Sequence, residues 1–378
     1  MDRQFIDRYA KWYSIIKKFI SPVIAGRANF SGEKIPDIEG PKFILCNHNT
    51  DFDFMLLISK SDEPLDFVAT ESMLRMNGIS KFAAEYFKPI LHDKGSKGAA
   101  TIKQIVSRIK EGRNVVLFPE GNRSFDGRSG DISEAIGKIA KMTGATLVVY
   151  KLTGGYLTTP RWGSKIRKGH MEGVVTKVID AKTLKEMPPD VVRKEITEGL
   201  YTDAYKEQGE KRIRFKSKTP AEYLESLLFI CPSCKKIGTL SSNKNRLSCG
   251  CGYQLIMDEF GYLHGEDGLQ YSVTEMFDEQ KKLLEDSVAA SKENCLWSDK
   301  VRMMKMSADH RAVKDEMVTL LVYRDRIMAG EESFSKEKIS SIDIVQRNRL
   351  MIHIGGEAGH LEFVGEKNFN AVKYRLWL

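Results

Sequence analysis

The sequence has no long hydrophobic run and little proline. None of its uninterrupted apolar runs approaches the roughly 18–20 residues that a helix needs to cross a bilayer, and the N-terminus lacks the hydrophobic core of a secretory signal. With 11 prolines among 378 residues and no low-complexity tract, the chain is neither collagen-like nor disordered by composition. We therefore expect a folded, cytoplasmic protein without a membrane span.

Size and charge give the next expectations. A chain of 378 residues exceeds the usual size of a single hydrophobic core, so two or three domains are expected. The formal net charge is +8, which favours an anionic partner such as a phosphorylated substrate, an anionic membrane or a nucleic acid. Much of this charge is concentrated at the start, since residues 1–30 hold six Lys or Arg and only two Asp.

Residues 1–28 have the pattern of an amphipathic helix. Aromatic and aliphatic side chains recur at steps of three and four between Phe5 and Val23, and Pro22 is expected to kink or end the helix. Trp12 and the nearby tyrosines and lysines suit a helix that lies in a membrane interface. Packing of the same stripe on its own domain is an equal alternative, and both hold if the helix lies at a membrane-facing rim.

Residues 29–215 alternate short apolar runs with helical patterns. Gly112 and Gly144 follow two of the expected helices, at positions that often need a positive φ. The alternation predicts an α/β domain, a sheet covered by helices, with its chemistry on loops at the strand ends. The expected strands are 42–46, 65–70, 88–92, 114–118 and 146–152, and the expected helices are 55–61, 98–112, 132–144 and 189–208.

The first candidate motif is FILCNHNTDFDFMLL, residues 43–57, which places His48 five positions before Asp53. Histidine can act as a base near neutral pH, and an aspartate that accepts the other ring N–H fixes the tautomer and stabilises the imidazolium. Alone, this spacing is a weak indication. The alternative is a pair of polar side chains at a strand-to-helix turn.

The second candidate motif is NVVLFPEGNRS, residues 114–124, in which an apolar strand runs into a turn. Gly121 permits close approach of a ligand to the backbone, and Arg123 offers a planar fork that suits phosphate oxygens. Taken alone, Pro-Glu-Gly is a common turn sequence.

In this order, and with roughly 70 residues between them, the two motifs resemble those of the glycerolipid acyltransferases. This family includes the 1-acylglycerol-3-phosphate acyltransferases, and the resemblance covers about residues 30–205. It implies a mixed α/β sheet flanked by helices. It also implies transfer of a fatty acyl group from acyl-CoA or acyl-carrier protein to a lysophospholipid hydroxyl. The expected acceptor is 1-acylglycerol-3-phosphate, which would give phosphatidic acid in phospholipid synthesis.

The resemblance also implies roles for individual residues. His48 would take the proton of the acceptor hydroxyl, and Asp53 would orient the ring. Lys94 stands where the family usually has arginine, and lysine keeps the charge but lacks the bidentate fork. Together with Arg123 it would clamp the acceptor phosphate. The implied substrate-binding residues are Lys94, Glu120, Gly121, Asn122, Arg123 and Ser124.

Four of the six cysteines form two close pairs that resemble a zinc ribbon within residues 225–256. Four thiolates complete a tetrahedral site and leave no open position, so the expected zinc is structural. The second pair is Cys-x-Cys, which is tighter than the usual Cys-x2-Cys. Reduced thiols in a loop are the alternative. The four candidate ligands are Cys231, Cys234, Cys249 and Cys251.

Residues 257–378 are expected to form a β-rich module. A helix is expected at 277–291, followed by antiparallel strands between 318 and 365 and a terminal helix in 367–378. This order resembles a pleckstrin-homology-like or GRAM-like module. Such a module would bind a lipid headgroup, bind a protein or only pack on the enzyme.

Two other functions remain open at this point. The chain could be a catalytically silent scaffold that binds lipid or a partner, or a basic zinc-ribbon protein that binds nucleic acid. Because aromatic and basic residues are not densely interspersed in the ribbon sequence, we do not expect nucleic acid as a partner. We expect a cytoplasmic enzyme that associates peripherally with an anionic membrane surface, with a lysophospholipid acceptor and an acyl thioester donor as its substrates.

Overall fold

The computed structural model describes residues 3–70, 87–92, 98–291, 295–307, 311–357, 359–366 and 369–378. The chain divides into two compact units. The first comprises residues 1–160 and 165–217, and the second comprises residues 161–164 and 218–378. The finer division of each unit into separate domains stays a prediction.

A seven-stranded mixed sheet organises the first unit, with the strand order β1-β7-β6-β2-β5-β3-β4. Neighbouring strands are parallel except for β6 and β7, which are antiparallel. The central strand β2 is buried at every position, because a strand covered on both faces needs a nearly continuous apolar run. The strands are Phe30–Gly32 (β1), Lys42–Cys46 (β2), Leu65–Thr70 (β3), Ile90–His92 (β4), Asn114–Leu117 (β5), Thr146–Thr153 (β6) and Met171–Ile179 (β7).

Helices cover both faces of this sheet, so the expected mixed sheet flanked by helices is confirmed. Ile44 of β2 faces a core that includes Leu56, whereas its neighbour Leu45 faces a second core that includes Ile105 and Val192. The helices are Arg3–Ile15 (α1), Ser21–Arg27 (α2), Asp53–Lys60 (α3), Ala99–Lys110 (α4), Ile136–Thr143 (α5), Gly155–Thr158 (α6), Ala181–Glu186 (α7), Pro189–Leu200 (α8) and Ala204–Lys211 (α9).

The single helix expected over 189–208 is wrong, because two helices occupy this region. α8 ends at Leu200, and the carboxylate of Asp203 then accepts hydrogen bonds from the backbone N–H groups of Tyr205 and Lys206, both at 3.1 Å. An aspartate in this position starts a new helix by satisfying its first N–H groups.

The N-terminal stripe packs on its own unit over its first part. Tyr9, Tyr13 and Ile16 are buried. A π-helical turn, Ile16–Ile20, then joins α1 to α2. Pro22 lies in the first turn of α2, directly after the π-helical turn, and it does not end the helix. Among the residues that the structure describes, no helix combines the length and apolar character needed to cross a bilayer.

The second unit contains two antiparallel sheets. A five-stranded sheet of order β12-β11-β10-β9-β8 follows the first cysteine pair and contains Cys249 at the end of β9. The sheet extends to residue 271, beyond the expected ribbon boundary. A seven-stranded sheet of order β16-β15-β14-β13-β19-β18-β17 follows. The expected antiparallel strands are therefore present, although the run expected over 318–330 covers parts of two strands, β14 and β15. Two further strands were not expected, Trp297–Met306 (β13) and Glu332–Ser335 (β16). The strands of the five-stranded sheet are Leu240–Asn243 (β8), Arg246–Cys249 (β9), Gln254–Met257 (β10), Leu263–Gly265 (β11) and Gln270–Tyr271 (β12).

The remaining elements complete this unit. Helix α10, Val273–Ala290, begins with a capping box in which Ser272 and Glu275 satisfy each other's backbone N–H groups. Helix α11, Ala371–Trp377, follows the last strand. The strands of the seven-stranded sheet are Trp297–Met306 (β13), Ala312–Val322 (β14), Arg326–Ala329 (β15), Glu332–Ser335 (β16), Ile339–Val345 (β17), Arg349–Ile354 (β18) and His360–Gly365 (β19), and 3-10 turns lie at Leu224–Ser226 and Lys336–Lys338.

Candidate active site

The two sequence motifs leave the sheet at the same edge. β2 and β5 are neighbouring parallel strands, so the loops that follow them lie side by side. We call residues 47–52, after β2, the histidine loop, and residues 119–124, after β5, the Pro-Glu-Gly turn. The backbone N–H of Ser124 donates to the carbonyl of His48 at 3.1 Å, and a carboxylate oxygen of Glu120 accepts from the N–H of His48, also at 3.1 Å. The fold thus joins motifs that are far apart in the sequence.

His48 and Asp53 form a hydrogen-bonded pair. The Nδ1 atom of His48 lies 2.9 Å from Oδ2 of Asp53, whose side chain is fully buried. The same Oδ2 accepts from the N–H groups of Asn49 at 2.7 Å and Thr50 at 2.9 Å, while Oδ1 accepts from the Thr50 hydroxyl at 2.6 Å. Because the carboxylate can only accept, the ring proton belongs on Nδ1. The lone pair is therefore on Nε2, the atom suited to act as a base.

The imidazole is accessible. The side chain of His48 is 26% exposed, and its ring stacks on that of Phe118 with 4.6 Å between the ring centroids. The ring is thus held on one face by an aromatic side chain and at Nδ1 by a carboxylate, while part of its surface remains open to a substrate.

Glu120 connects the two loops to a third segment. Its Oε1 atom accepts from the N–H of His48, and its Oε2 atom accepts from the N–H of Gly130 at 2.6 Å. Burial raises the pKa of Glu120 to about 7, and the negative charge of Asp53 adds to this rise, whereas the two backbone donors oppose it.

The guanidinium of Arg123 is largely held by the backbone. Its Nε atom donates to the carbonyl of Asn49 at 3.0 Å, and one terminal nitrogen donates to the carbonyl of Thr159 at 2.6 Å. The other terminal nitrogen is 2.7 Å from a carboxylate oxygen of Asp51, a side chain that is 83% exposed. Arg123 therefore supports the histidine loop and directs one edge towards an exposed carboxylate.

The other residues of the Pro-Glu-Gly turn shape its backbone. The buried hydroxyl of Ser124 donates to the carbonyl of Arg128 at 2.7 Å and accepts from the N–H of Gly127 at 2.9 Å. Gly121 has a φ of +65°, in the left-handed region where glycine has no steric cost. Asn122 is half-buried between Gly121 and Arg123. The sixth expected substrate-binding residue, Lys94, lies outside the described residues.

Two asparagines hold the histidine loop, and the role of one of them, Asn47, was missed by the sequence reasoning. The amide of Asn47 donates to the carbonyl of Leu152 at 2.8 Å and accepts from its N–H at 2.7 Å, so it acts like one more residue pair between β2 and β6. Asn49 also donates to the carbonyl of Leu152, at 3.1 Å. These bonds fix both ends of the peptide that carries His48. The only sequence signal is that asparagine stands on each side of the histidine.

The four clustered cysteines meet in the second unit. All four sulfur atoms lie within 4.8 Å of one another, and the pairs Cys231–Cys251 and Cys234–Cys249 are each 3.7 Å apart. A tetrahedral zinc with Zn–S bonds of ~2.3 Å would hold its sulfurs ~3.8 Å apart. The donor set and its spacing therefore fit such an ion.

Comparisons with known proteins address the first unit. Residues 27–151 match the family model described as Acyltransferase, a range that includes both the histidine loop and the Pro-Glu-Gly turn. Among solved structures, the chain is similar to the 1-acyl-sn-glycerophosphate (LPA) acyltransferase, PlsC, from Thermotoga maritima. The sequence identity is 19% and the TM-score 0.42, covering 52% of this chain and 83% of that chain. No curated protein matches the sequence.

Proposed function

We propose that the protein is an O-acyltransferase of glycerolipid metabolism. It would move a fatty acyl group from acyl-CoA or acyl-carrier protein to the free hydroxyl of a lysophospholipid. The proposed acceptor is 1-acylglycerol-3-phosphate and the product phosphatidic acid. The observation that carries the proposal is the His48–Asp53 pair beside the Pro-Glu-Gly turn at one edge of the sheet, within residues that match an acyltransferase family.

The geometry suits direct transfer between the two substrates. Nε2 of His48 accepts the proton of the acceptor hydroxyl while that oxygen attacks the thioester carbonyl carbon, and the carboxylate of Asp53 offsets the charge of the imidazolium. The tetrahedral intermediate then collapses. The C–S bond breaks, the sulfur leaves with the proton from Nε2, and an ester remains. General-base assistance of this kind contributes roughly 10²–10⁴-fold, and alignment of the two substrates adds to it.

Arg123 and Lys94 are the proposed cations for the acceptor phosphate. Two nitrogens of the Arg123 guanidinium are already bonded to backbone carbonyls, so the phosphate would bind at the edge that now contacts Asp51. An ion pair with so exposed a carboxylate is weak, and a phosphate can therefore replace it at little cost. The phosphate would also carry more charge than the carboxylate it replaces.

The assay is product formation by the purified full chain from labelled acyl-CoA and 1-acylglycerol-3-phosphate. The substitution His48→Ala should remove nearly all activity and leave the thermal unfolding midpoint close to that of the unsubstituted protein. The matched control is His264→Ala, because His264 also contacts an aspartate, Asp258, at 2.8 Å but lies in the second unit. Unchanged turnover after loss of His48 would refute the mechanism. An inactive unsubstituted chain would favour the scaffold alternative.

We also propose peripheral contact with an anionic membrane through the second part of the N-terminal stripe. Phe19, Ile20 and Val23 are 61%, 43% and 54% exposed, and Lys17 and Lys18 lie beside them in the chain. Exposed apolar side chains next to cations suit the boundary between lipid headgroups and acyl chains.

The cysteine cluster is proposed to hold one structural zinc. Four cysteine thiolates would fill its coordination sphere, so the ion would stabilise the five-stranded sheet and take no part in acyl transfer. Metal binding would thereby contribute to folding of the second unit.

A further inference from the structure

Both carboxylate oxygens of Glu120 accept hydrogen bonds from backbone N–H groups. Oε1 accepts from the N–H of His48 at 3.1 Å and Oε2 from the N–H of Gly130 at 2.6 Å. Gly130 leaves room for this contact, since a Cβ atom at that position would lie 3.3 Å from Oε2. The side chain thus spans the histidine loop and the segment around Gly130, and binding a substrate hydroxyl would compete with these bonds.

The main chain of His48 is held on both sides by the Pro-Glu-Gly turn. Its N–H donates to Glu120, and its carbonyl accepts from the N–H of Ser124. Its side chain is held separately, by Asp53. Loss of the Glu120 contact would free the peptide that sets the Cα position of His48 while leaving the bond to Asp53 in place.

From this geometry we infer that Glu120 is a positioning residue for His48, acting through the His48 backbone N–H, and that it does so in its ionised form. The inference rests on the proposed acyl transfer and replaces acceptor binding as the role of this side chain. An ionised carboxylate offers acceptors to both N–H groups at once. A protonated carboxyl has an O–H donor on one oxygen, which makes that oxygen a poorer acceptor and weakens one of the two bonds.

The surroundings of Glu120 make this protonation relevant near neutral pH. Among the described residues, the titratable groups that face it include His48 on the histidine loop, Asp53 at the start of α3 and Cys46 at the end of β2. Burial raises the pKa of Glu120 to about 7, so the carboxylate gains a proton as the pH falls through neutrality. Part of the loss of activity on the acid side should therefore follow the protonation of Glu120.

The test compares the pH dependence of kcat/KM for the unsubstituted chain and for Glu120→Gln, with labelled acyl-CoA and 1-acylglycerol-3-phosphate. We expect kcat to fall about 10- to 100-fold in Glu120→Gln with KM little changed, because misplacement of a catalytic group by ~1 Å costs up to about 10² in rate. The part of the acid limb that reports protonation of Glu120 near neutral pH should be absent from the profile of Glu120→Gln. The control Glu111→Gln removes an exposed glutamate and should change neither.

Hydrogen exchange of the backbone separates this inference from the proposed function. Exchange of the His48 N–H should be much faster in Glu120→Ala, which has no side-chain acceptor for this N–H, than in Glu111→Gln or the unsubstituted chain, whether or not product forms. Equal protection of that N–H in all three proteins would overturn the inference. So would a raised KM at unchanged kcat, since that result would assign Glu120 to the acceptor. If protection of the His48 N–H depends on Glu120 but the unsubstituted chain transfers no acyl group, only the proposed function is refuted.

Discussion

The substitution Asp53→Asn isolates the charge of the carboxylate from its geometry. Oδ2 of Asp53 receives three donors, namely Nδ1 of His48 and the backbone N–H groups of Asn49 and Thr50. If the NH2 group of an asparagine took the position of Oδ2, it would face three other donors. The amide oxygen must therefore take that position. The NH2 group then faces the Thr50 hydroxyl, which can accept. His48 keeps its proton on Nδ1, and only the negative charge is lost.

The size of the effect follows from the distance between the charges. An imidazolium and a carboxylate with charge centres ~4 Å apart attract by about 4 kcal/mol at an effective dielectric constant of 20. If the proton were fully transferred in the transition state, loss of this attraction would lower kcat by roughly 10³-fold. Partial transfer reduces the loss. We therefore expect kcat to fall by about 10²- to 10³-fold, with a nearly unchanged KM.

The measurement is steady-state acyl transfer by the full chain, with thermal unfolding followed in parallel. Asp131→Asn serves as the control, because it removes an exposed carboxylate from the loop that follows β5. A kcat within about threefold of the control would show that the charge of Asp53 does not stabilise the imidazolium of His48 during the reaction. A large fall in the unfolding midpoint would instead show that the asparagine cannot satisfy the three donors.

Two further predictions concern the metal and the membrane. Elemental analysis should find about one zinc per folded chain. The variant Cys234→Ser should lose the zinc and unfold at a lower temperature, whereas the control Cys295→Ser should do neither. A stable protein without bound metal would contradict the proposed site. Phe19→Asp should reduce sedimentation with vesicles of phosphatidylcholine and phosphatidylglycerol severalfold, because it places a charge in the proposed apolar contact. Val191→Asp, at another exposed apolar position, should leave sedimentation unchanged, and equal loss in both variants would refute the proposed surface.

The strand β2 was predictable because it is buried at every position, and a covered strand has a nearly continuous apolar sequence. The expected bounds 65–70 also coincide with β3, although the residues after Asp66 are only partly buried. β13 lacked such a signal. Its sequence WSDKVRMMKM mixes charges with methionines. It is held between β14, the next strand in the chain, and the distant β19, so its strand structure depends on these pairing partners.

Within the site, the sequence predicted which residues lie close together, but not which acceptors their N–H groups bind. The nearness of His48 to the Pro-Glu-Gly turn follows from two motifs on neighbouring parallel strands. The contact of Arg123 with the carbonyl of Thr159 does not, because a backbone carbonyl carries no sequence signature and Thr159 is 36 residues away. That contact restricts the phosphate-binding role. With two guanidinium nitrogens bonded to backbone, Arg123 can offer a phosphate the edge beside Asp51, but not its whole fork.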